Sequence, residues 1–150
     1  MYKNPAPTAN VIIVQEGRIC LLRRKRYPCR GKIALPGGYV EYNESVESAA
    51  IREAKEETGL EVQLKAILGV YSDAQRNPLK HTISTVFIAN VITGNVRENE
   101  EGEPFWQSIE DIQGCDWAFD HGKIIGHFLS WQKHQQTFWS YKEDDQGLHT

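Results

Sequence analysis

Hydrophobic residues along the chain fall into short blocks separated by polar punctuation. Residues 10–15 (NVIIVQ) and 18–24 (RICLLRR) are rich in Val, Ile and Leu and are split by Glu16-Gly17, which predicts a β-hairpin. KIAL at 32–35 predicts a short third strand, stopped by Pro36-Gly37-Gly38. From about Glu44 to Thr58 the period becomes helical: Val46, Ala49, Ala50 and Ala54 form one apolar stripe, Asn43 or Ser45 can cap its start, and Gly59 ends it. The stripe is narrow and built of small residues, so this helix can sit close to a sheet. Two longer strands are predicted at about 61–72 and 82–92, the second rich in β-branched and aromatic residues. FWQ then reads as a short strand and SIEDI as a short helical piece. Ile124, Ile125, Phe128 and Leu129 mark a core-packed helix beginning near Asp120. Residues 1–8, with two prolines, read as an irregular arm, and the polar residues 141–150 as a frayed tail. The order β-β-β-α-β-β-β-α, without repeat or linker, predicts a single α+β domain over residues 1–150, an αβα sandwich around a mixed sheet.

Composition adds mainly exclusions. A chain of 150 residues, 40% hydrophobic and 25% charged, suits one globular core. A formal net charge of -3 gives no general attraction to nucleic acid or to a membrane surface. No apolar run approaches the ~18 residues a membrane span needs, and the N-terminus does not read as a signal peptide. Three widely spaced cysteines, Cys20, Cys29 and Cys115, offer neither a disulfide framework nor a zinc pattern, which fits a reducing cytoplasm. Cys20, in ICLL, reads as a core residue. The basic run Arg23-Arg24-Lys25-Arg26 is either the solvated end of a strand or a rim that attracts an anionic substrate.

The stretch REAKEETGL, residues 52–60, carries the chemistry. It closes a helix, where the dipole favours cations, yet it places Glu53, Glu56 and Glu57 on one face. Each like-charged pair costs roughly 0.2–0.5 kcal/mol and each carboxylate near the helix end roughly 0.3–1 kcal/mol more. A solvated charged face is one reading. The other is a divalent cation site, since clustered hard oxygens without His or Cys suit Mg²⁺ or Mn²⁺.

The wider stretch GYVEYNESVESAAIREAKEETGL, residues 38–60, follows G-x5-E-x7-R-E-U-x-E-E-x-G-U, where U is a bulky aliphatic. It resembles the signature box of the Nudix hydrolases. Gly38, Glu44, Arg52, Glu53, Glu56, Glu57 and Gly59 match its fixed identities, and Leu60 fits the last aliphatic place. At average residue usage, seven identities arise by chance in about one window in 10⁸. Ala54 departs from the pattern, being smaller than the usual aliphatic residue.

The resemblance implies a Nudix fold and hydrolysis of a nucleoside diphosphate linked to another group. It implies Glu53, Glu56 and Glu57 as metal ligands, one of which, Glu53 or Glu57, also acts as base towards water. Gly37 and Gly38 permit a tight turn whose backbone can join the metal. Arg52 would hold the glutamates by bidentate hydrogen bonds, with Glu44 as its partner. Mg²⁺ is the implied cofactor, with Mn²⁺ as the alternative. Family members also recruit an acidic residue from a distant loop; here Glu98, Glu100, Glu101 and Glu103 are available, and Glu100 or Glu101 are preferred because Phe105-Trp106 resembles the strand that follows.

Specificity must come from loops. YSDAQRNPLKHTIS, residues 71–84, and AFDHGKII, residues 118–125, resemble the small ADP-ribose pyrophosphatases, with departures at Ala74, Asn77 and Lys80. Arg76, Lys80 and Arg24 can meet phosphates, and His81 and His121 flank the pocket edges. Tyr71, Phe105 or Trp106 can stack on a base, or can be core. A nucleoside triphosphate, including an oxidised one, and a dinucleoside polyphosphate are alternative substrates. A non-catalytic nucleotide-sensing module is the alternative of another class, although every charged position of the box is intact. Trp131, Phe138 and Trp139 could form a homodimer surface or close the core of one chain.

Overall fold

The computed structural model describes residues 3–140. Strands β1 (Ala6–Gln15), β2 (Arg18–Arg24), β3 (Ile33–Ala34) and β4 (Gly37–Tyr39) precede helix α1 (Val46–Thr58). Strands β5 (Glu61–Tyr71), β6 (Thr82–Thr93) and β7 (Gly102–Ser108), a 3₁₀ segment (Ile109–Gly114), helix α2 (His121–His134) and strand β8 (Phe138–Trp139) follow. The sheet runs β3-β2-β1-β6-β5-β8, with β4 also on β1 and β7 also on β2. It is mixed: β1 and β6 are parallel at its centre, while the β1–β2, β2–β7 and β5–β6 pairs are antiparallel.

Alternation along the strands builds two cores, one per face. Ala9, Val11 and Ile13 of β1, with Cys20, Phe87 and Ala89, meet the alanine stripe Ala49, Ala50 and Ala54 of α1. Ile12, Ile19, Leu21, Val86 and Ile88 meet Ile124, Ile125 and Phe128 of α2 on the opposite face. The result is the αβα sandwich read from the sequence. Ser45 caps α1 by accepting from the Ser48 N–H at 3.0 Å, and Gly59 ends it in the left-handed conformation at φ 86°.

Three expectations need correction. The arm over 1–8 is partly strand: Ala6, Pro7 and Thr8 pair with Thr82, Ile83 and Ser84 of β6. Pro7 has no N–H to donate, but its carbonyl accepts from the Val40 N–H at 3.0 Å. Gly37-Gly38 does not end the strand region but forms β4 itself, in register with Asn10 and Ala9. The strand expected at FWQ extends over Gly102–Ser108 because all of β2 is available to pair with it. Phe138 and Trp139 add an edge strand to β5, and Phe138 stacks on His127 with ring centroids 4.4 Å apart. Phe138 and Trp131 pack against the core, whereas Trp139 is half-exposed. The tail at 141–150 lies outside the described residues. Among the described residues, no helix is long and apolar enough to cross a membrane.

Candidate active site

The carboxylates of α1 open onto a cleft of about 630 Å³. Its acidic wall is Glu53, Glu56 and Glu57 from the last turns of α1, with Glu41 and with Glu101 from the loop before β7. Gly37 and Gly38 lie beneath. The Gly37 N–H donates to Glu57 Oε1 at 2.8 Å, and a Cβ on Gly38 would stand 2.6 Å from the Glu53 carboxyl group. Arg24, Arg76, Thr82, His121 and Phe119 supply the facing walls.

Arg52 stands behind the acidic wall. Its Nε and Nη2 donate to the two Glu44 oxygens at 2.7 and 2.9 Å, its Nη1 to Glu53 at 2.7 Å and Glu56 at 3.2 Å, and its Nη2 also to the Tyr39 carbonyl at 3.0 Å. Those bonds raise the Arg52 pKa, and the same guanidinium holds Glu44 down to about 2. Glu53 is nevertheless shifted upward, because burial outweighs its bond to Arg52. Glu57, buried beneath β4, is pushed up to about 8, chiefly by burial; the Gly37 N–H opposes the shift, and the charges of Glu53 and Glu101 add to it.

Among the described residues, no three acidic, imidazole or thiol groups close into a compact metal cage. Arg52 engages Glu53 and Glu56, which draws those two carboxylates towards the guanidinium. The donor set still fits a hard divalent cation. It consists of carboxylate oxygens without sulfur or imidazole, and it includes a buried carboxylate destabilised by two others, which a cation would relieve.

The positive side is equally constrained. Arg24 donates from Nε to the Pro28 carbonyl at 2.9 Å and lies 4.9 Å from the centre of the Phe119 ring. Arg76 is almost fully buried and forms a two-pronged bond to Asp120 at 2.9 and 2.7 Å, with Nη1 donating to Thr82 at 2.6 Å. His121 Nδ1 accepts from the Leu35 N–H at 2.9 Å, so Nε2 carries the proton; burial lowers its pKa to about 4.

The structure therefore brings Gly37, Glu53, Glu56, Glu57, Glu101, Arg24 and Arg76 to one cleft, with Arg52 and Glu44 behind it. Lys80 and His81 are not among the lining residues. Lys80 lies over the Tyr39 ring at 5.2 Å, and His81 bonds the Ser72 carbonyl at 2.9 Å. Tyr71 is not a stacking surface: it is fully buried, with its hydroxyl on His127 Nδ1 at 2.8 Å. Phe105 and Trp106 pack against opposite cores. The aromatic residues of the cleft are instead Tyr27, Tyr39 and Phe119. Strand periodicity cannot reveal them, since Tyr27 and Phe119 lie in loops. The basic run is neither free nor uniform: Lys25 pairs with Glu98 at 2.7 Å and Arg26 with Glu100 at 3.2 Å, leaving Arg24 on the cleft.

Carboxylate oxygens facing fixed guanidinium groups suit metal-assisted hydrolysis of a phosphoanhydride. The comparisons give the family. The NUDIX domain matches residues 4–139, and the chain belongs to the Nudix family. The ADP-ribose pyrophosphatase of Methanocaldococcus jannaschii is 42% identical over 133 residues, covering 88% of this chain and 78% of that protein. The crystal structure of a NUDIX hydrolase from Nitrosomonas europaea superposes with a TM-score of 0.82 at 26% identity, covering 93% of this chain and 80% of that one. The NUDIX domain of Shewanella oneidensis NrtR, solved with ADP ribose, shares the fold at a TM-score of 0.76 and 18% identity, covering 88% of this chain and 91% of that one. This protein is a Nudix pyrophosphohydrolase, of a family that uses divalent metal ions.

Proposed function

We propose that the enzyme hydrolyses ADP-ribose to AMP and ribose 5-phosphate with Mg²⁺. The observation that carries this reading is the single cleft in which the α1 carboxylates face Arg24 and Arg76. The 42% identity to a protein named ADP-ribose pyrophosphatase supports the choice of nucleotide.

Glu53, Glu56 and Glu57, with Glu101 and the backbone at Gly37, would hold the cation. Once bound, it neutralises phosphate oxygens and makes a water easier to deprotonate. Glu53 and Glu57 are much less exposed than Glu56, and one of the two accepts the proton of the attacking water. Arg52 fixes the Glu53 carboxylate through Oε1. Arg24 retains donor capacity beyond its backbone contacts and takes charge from the diphosphate. Arg76, locked by Asp120, offers a second fixed positive charge, and Tyr27, Tyr39 and Phe119 offer faces for a base.

The test is incubation with ADP-ribose and Mg²⁺, separating AMP and ribose 5-phosphate by chromatography, with Glu57→Gln run in parallel. AMP from the wild type alone is expected. Cleavage of nucleoside triphosphates or dinucleoside polyphosphates in place of ADP-ribose would overturn the substrate assignment. Equal turnover by Glu57→Gln would overturn the role of the α1 carboxylates.

A further inference from the structure

The loop that brings Glu101 to the cleft is tied to the end of α1 by the Arg97 N–H, which donates to the Thr58 carbonyl at 2.9 Å, and by one side chain outside the cleft, Asn99. Its amide nitrogen donates to the Glu57 carbonyl at 2.6 Å. Its amide oxygen accepts from the Glu101 N–H at 2.9 Å and from the Gly102 N–H at 3.3 Å. The partners dictate the orientation of the amide: the carbonyl needs a donor, and the two N–H groups need an acceptor. The Asn99 backbone closes the same turn by donating to the Gly102 carbonyl at 3.1 Å, and Lys25 Nζ caps the Asn99 carbonyl at 2.9 Å. The Glu57 carbonyl is one of those left unpaired at the end of a helix. Asn99 thus uses the end of α1 as its anchor.

We propose that Asn99 is a positioning residue that sets Glu101 against Glu57 and so completes the oxygen cluster for the divalent cation. The two glutamates come from elements more than forty residues apart and line the same cleft, where the Glu101 carboxylate also lies 3.5 Å from the Arg26 guanidinium. Asn99 joins the backbone of both. Aspartate cannot replace it, because a carboxylate would face the Glu57 carbonyl without a proton to share. Serine can retain the turn by accepting from the Glu101 N–H but is too short to reach α1 as well.

The inference rests on the metal-binding reading of the cluster, and the experiment separates the two. Mn²⁺ binding is measured by calorimetry on the wild type, Asn99→Ala, Asn99→Ser, Glu101→Gln and Asn99→Ala/Glu101→Gln, with folding followed by thermal unfolding. Residues behind metal ligands typically contribute 10–100-fold in affinity. Asn99→Ala and Asn99→Ser are each expected to weaken Mn²⁺ binding by at least about tenfold. In the Glu101→Gln background, removing Asn99 is expected to add little, since the carboxylate it positions is gone. The Mg²⁺ concentration for half-maximal activity should rise in the same proteins, while KM for ADP-ribose at saturating Mg²⁺ stays near the wild-type value. Unchanged Mn²⁺ binding in Asn99→Ala, full recovery in Asn99→Ser, or equal losses with and without Glu101 would overturn the role of Asn99 while leaving the metal site standing. Absence of Mn²⁺ binding in the wild type would overturn both.

Discussion

At Gly38 the site leaves no room for one additional carbon. The position is not in the left-handed region; what requires glycine is the Glu53 carboxyl group, which a Cβ would meet at 2.6 Å. Arg52 holds Glu53 from the other side at 2.7 Å, so the carboxylate is confined between backbone and guanidinium. Gly38→Ala must therefore displace Glu53. Misplacing a reacting group by about 1 Å can cost on the order of 10²-fold. We expect Gly38→Ala to lose kcat by about that factor while its melting temperature stays close to that of the wild type. A parallel loss of melting temperature and activity would show instead that β4 had come apart.

At the scale of elements, α1 is defined by its two ends and one face. Its alanines lie flat against β1, and Ala54, the departure from the usual box, is fully buried among them. Its C-terminus is fixed at Gly59, whose φ of 86° favours glycine; a Cβ there would lie 2.7 Å from the Asn95 carbonyl oxygen. Gly59→Ala should cost about 1–3 kcal/mol from the strained conformation alone, measured by urea unfolding. Because the following residues carry the chain away from Glu56 and Glu57, activity per folded molecule should fall too. At the other helix, Asp120 occupies the cap position of α2 but makes no capping bond. Its carboxylate is committed to Arg76, which fastens the 72–81 loop to the start of α2.

For the whole molecule, His121 links stability to pH. It is buried, bonded to the Leu35 N–H and held neutral, with its pKa lowered from 6.5 to about 4; Asp120 favours its charged form, while Arg76 and Arg24 oppose it. A histidine with a depressed folded-state pKa contributes stability that is fully present above its unfolded pKa. As pH falls below about 6.5 the unfolded chain takes up the proton first, so stability declines, and the decline ends near pH 4. The shift corresponds to roughly 3 kcal/mol at most. Glu57, held at about 8, shifts stability the opposite way over this range, so the His121 contribution is read as a difference: in urea unfolding of the metal-free protein from pH 7 to pH 4, the wild type should lose stability relative to His121→Gln.

Much of this was legible from residue order. The helix with its caps, the hairpin, the two long strands and the second helix follow from local periodicity and turn chemistry, which depend on neighbours a few residues away. The box was legible because its carboxylates lie within one helix, where spacing alone puts Glu53, Glu56 and Glu57 on one face. The errors have a common cause. Tyr71 looked available for stacking, but whether a strand tyrosine faces a cleft or a core depends on what covers the strand; here His127 and α2 do. The parallel pairing of Ala6–Thr8 with β6, the strand made by Gly37–Tyr39, and the aromatic residues that reach the cleft from loops all join distant segments.

Sequence by itself determined the carboxylate cluster and the helix that carries it, because both are encoded within 23 consecutive residues. Only the tertiary structure decided which guanidinium groups face those carboxylates, which glutamate of the acidic loop lines the same cleft, and that Asn99 bonds that loop to the end of α1. Those choices depend on contacts between residues tens of positions apart, and spacing along the chain does not encode such contacts.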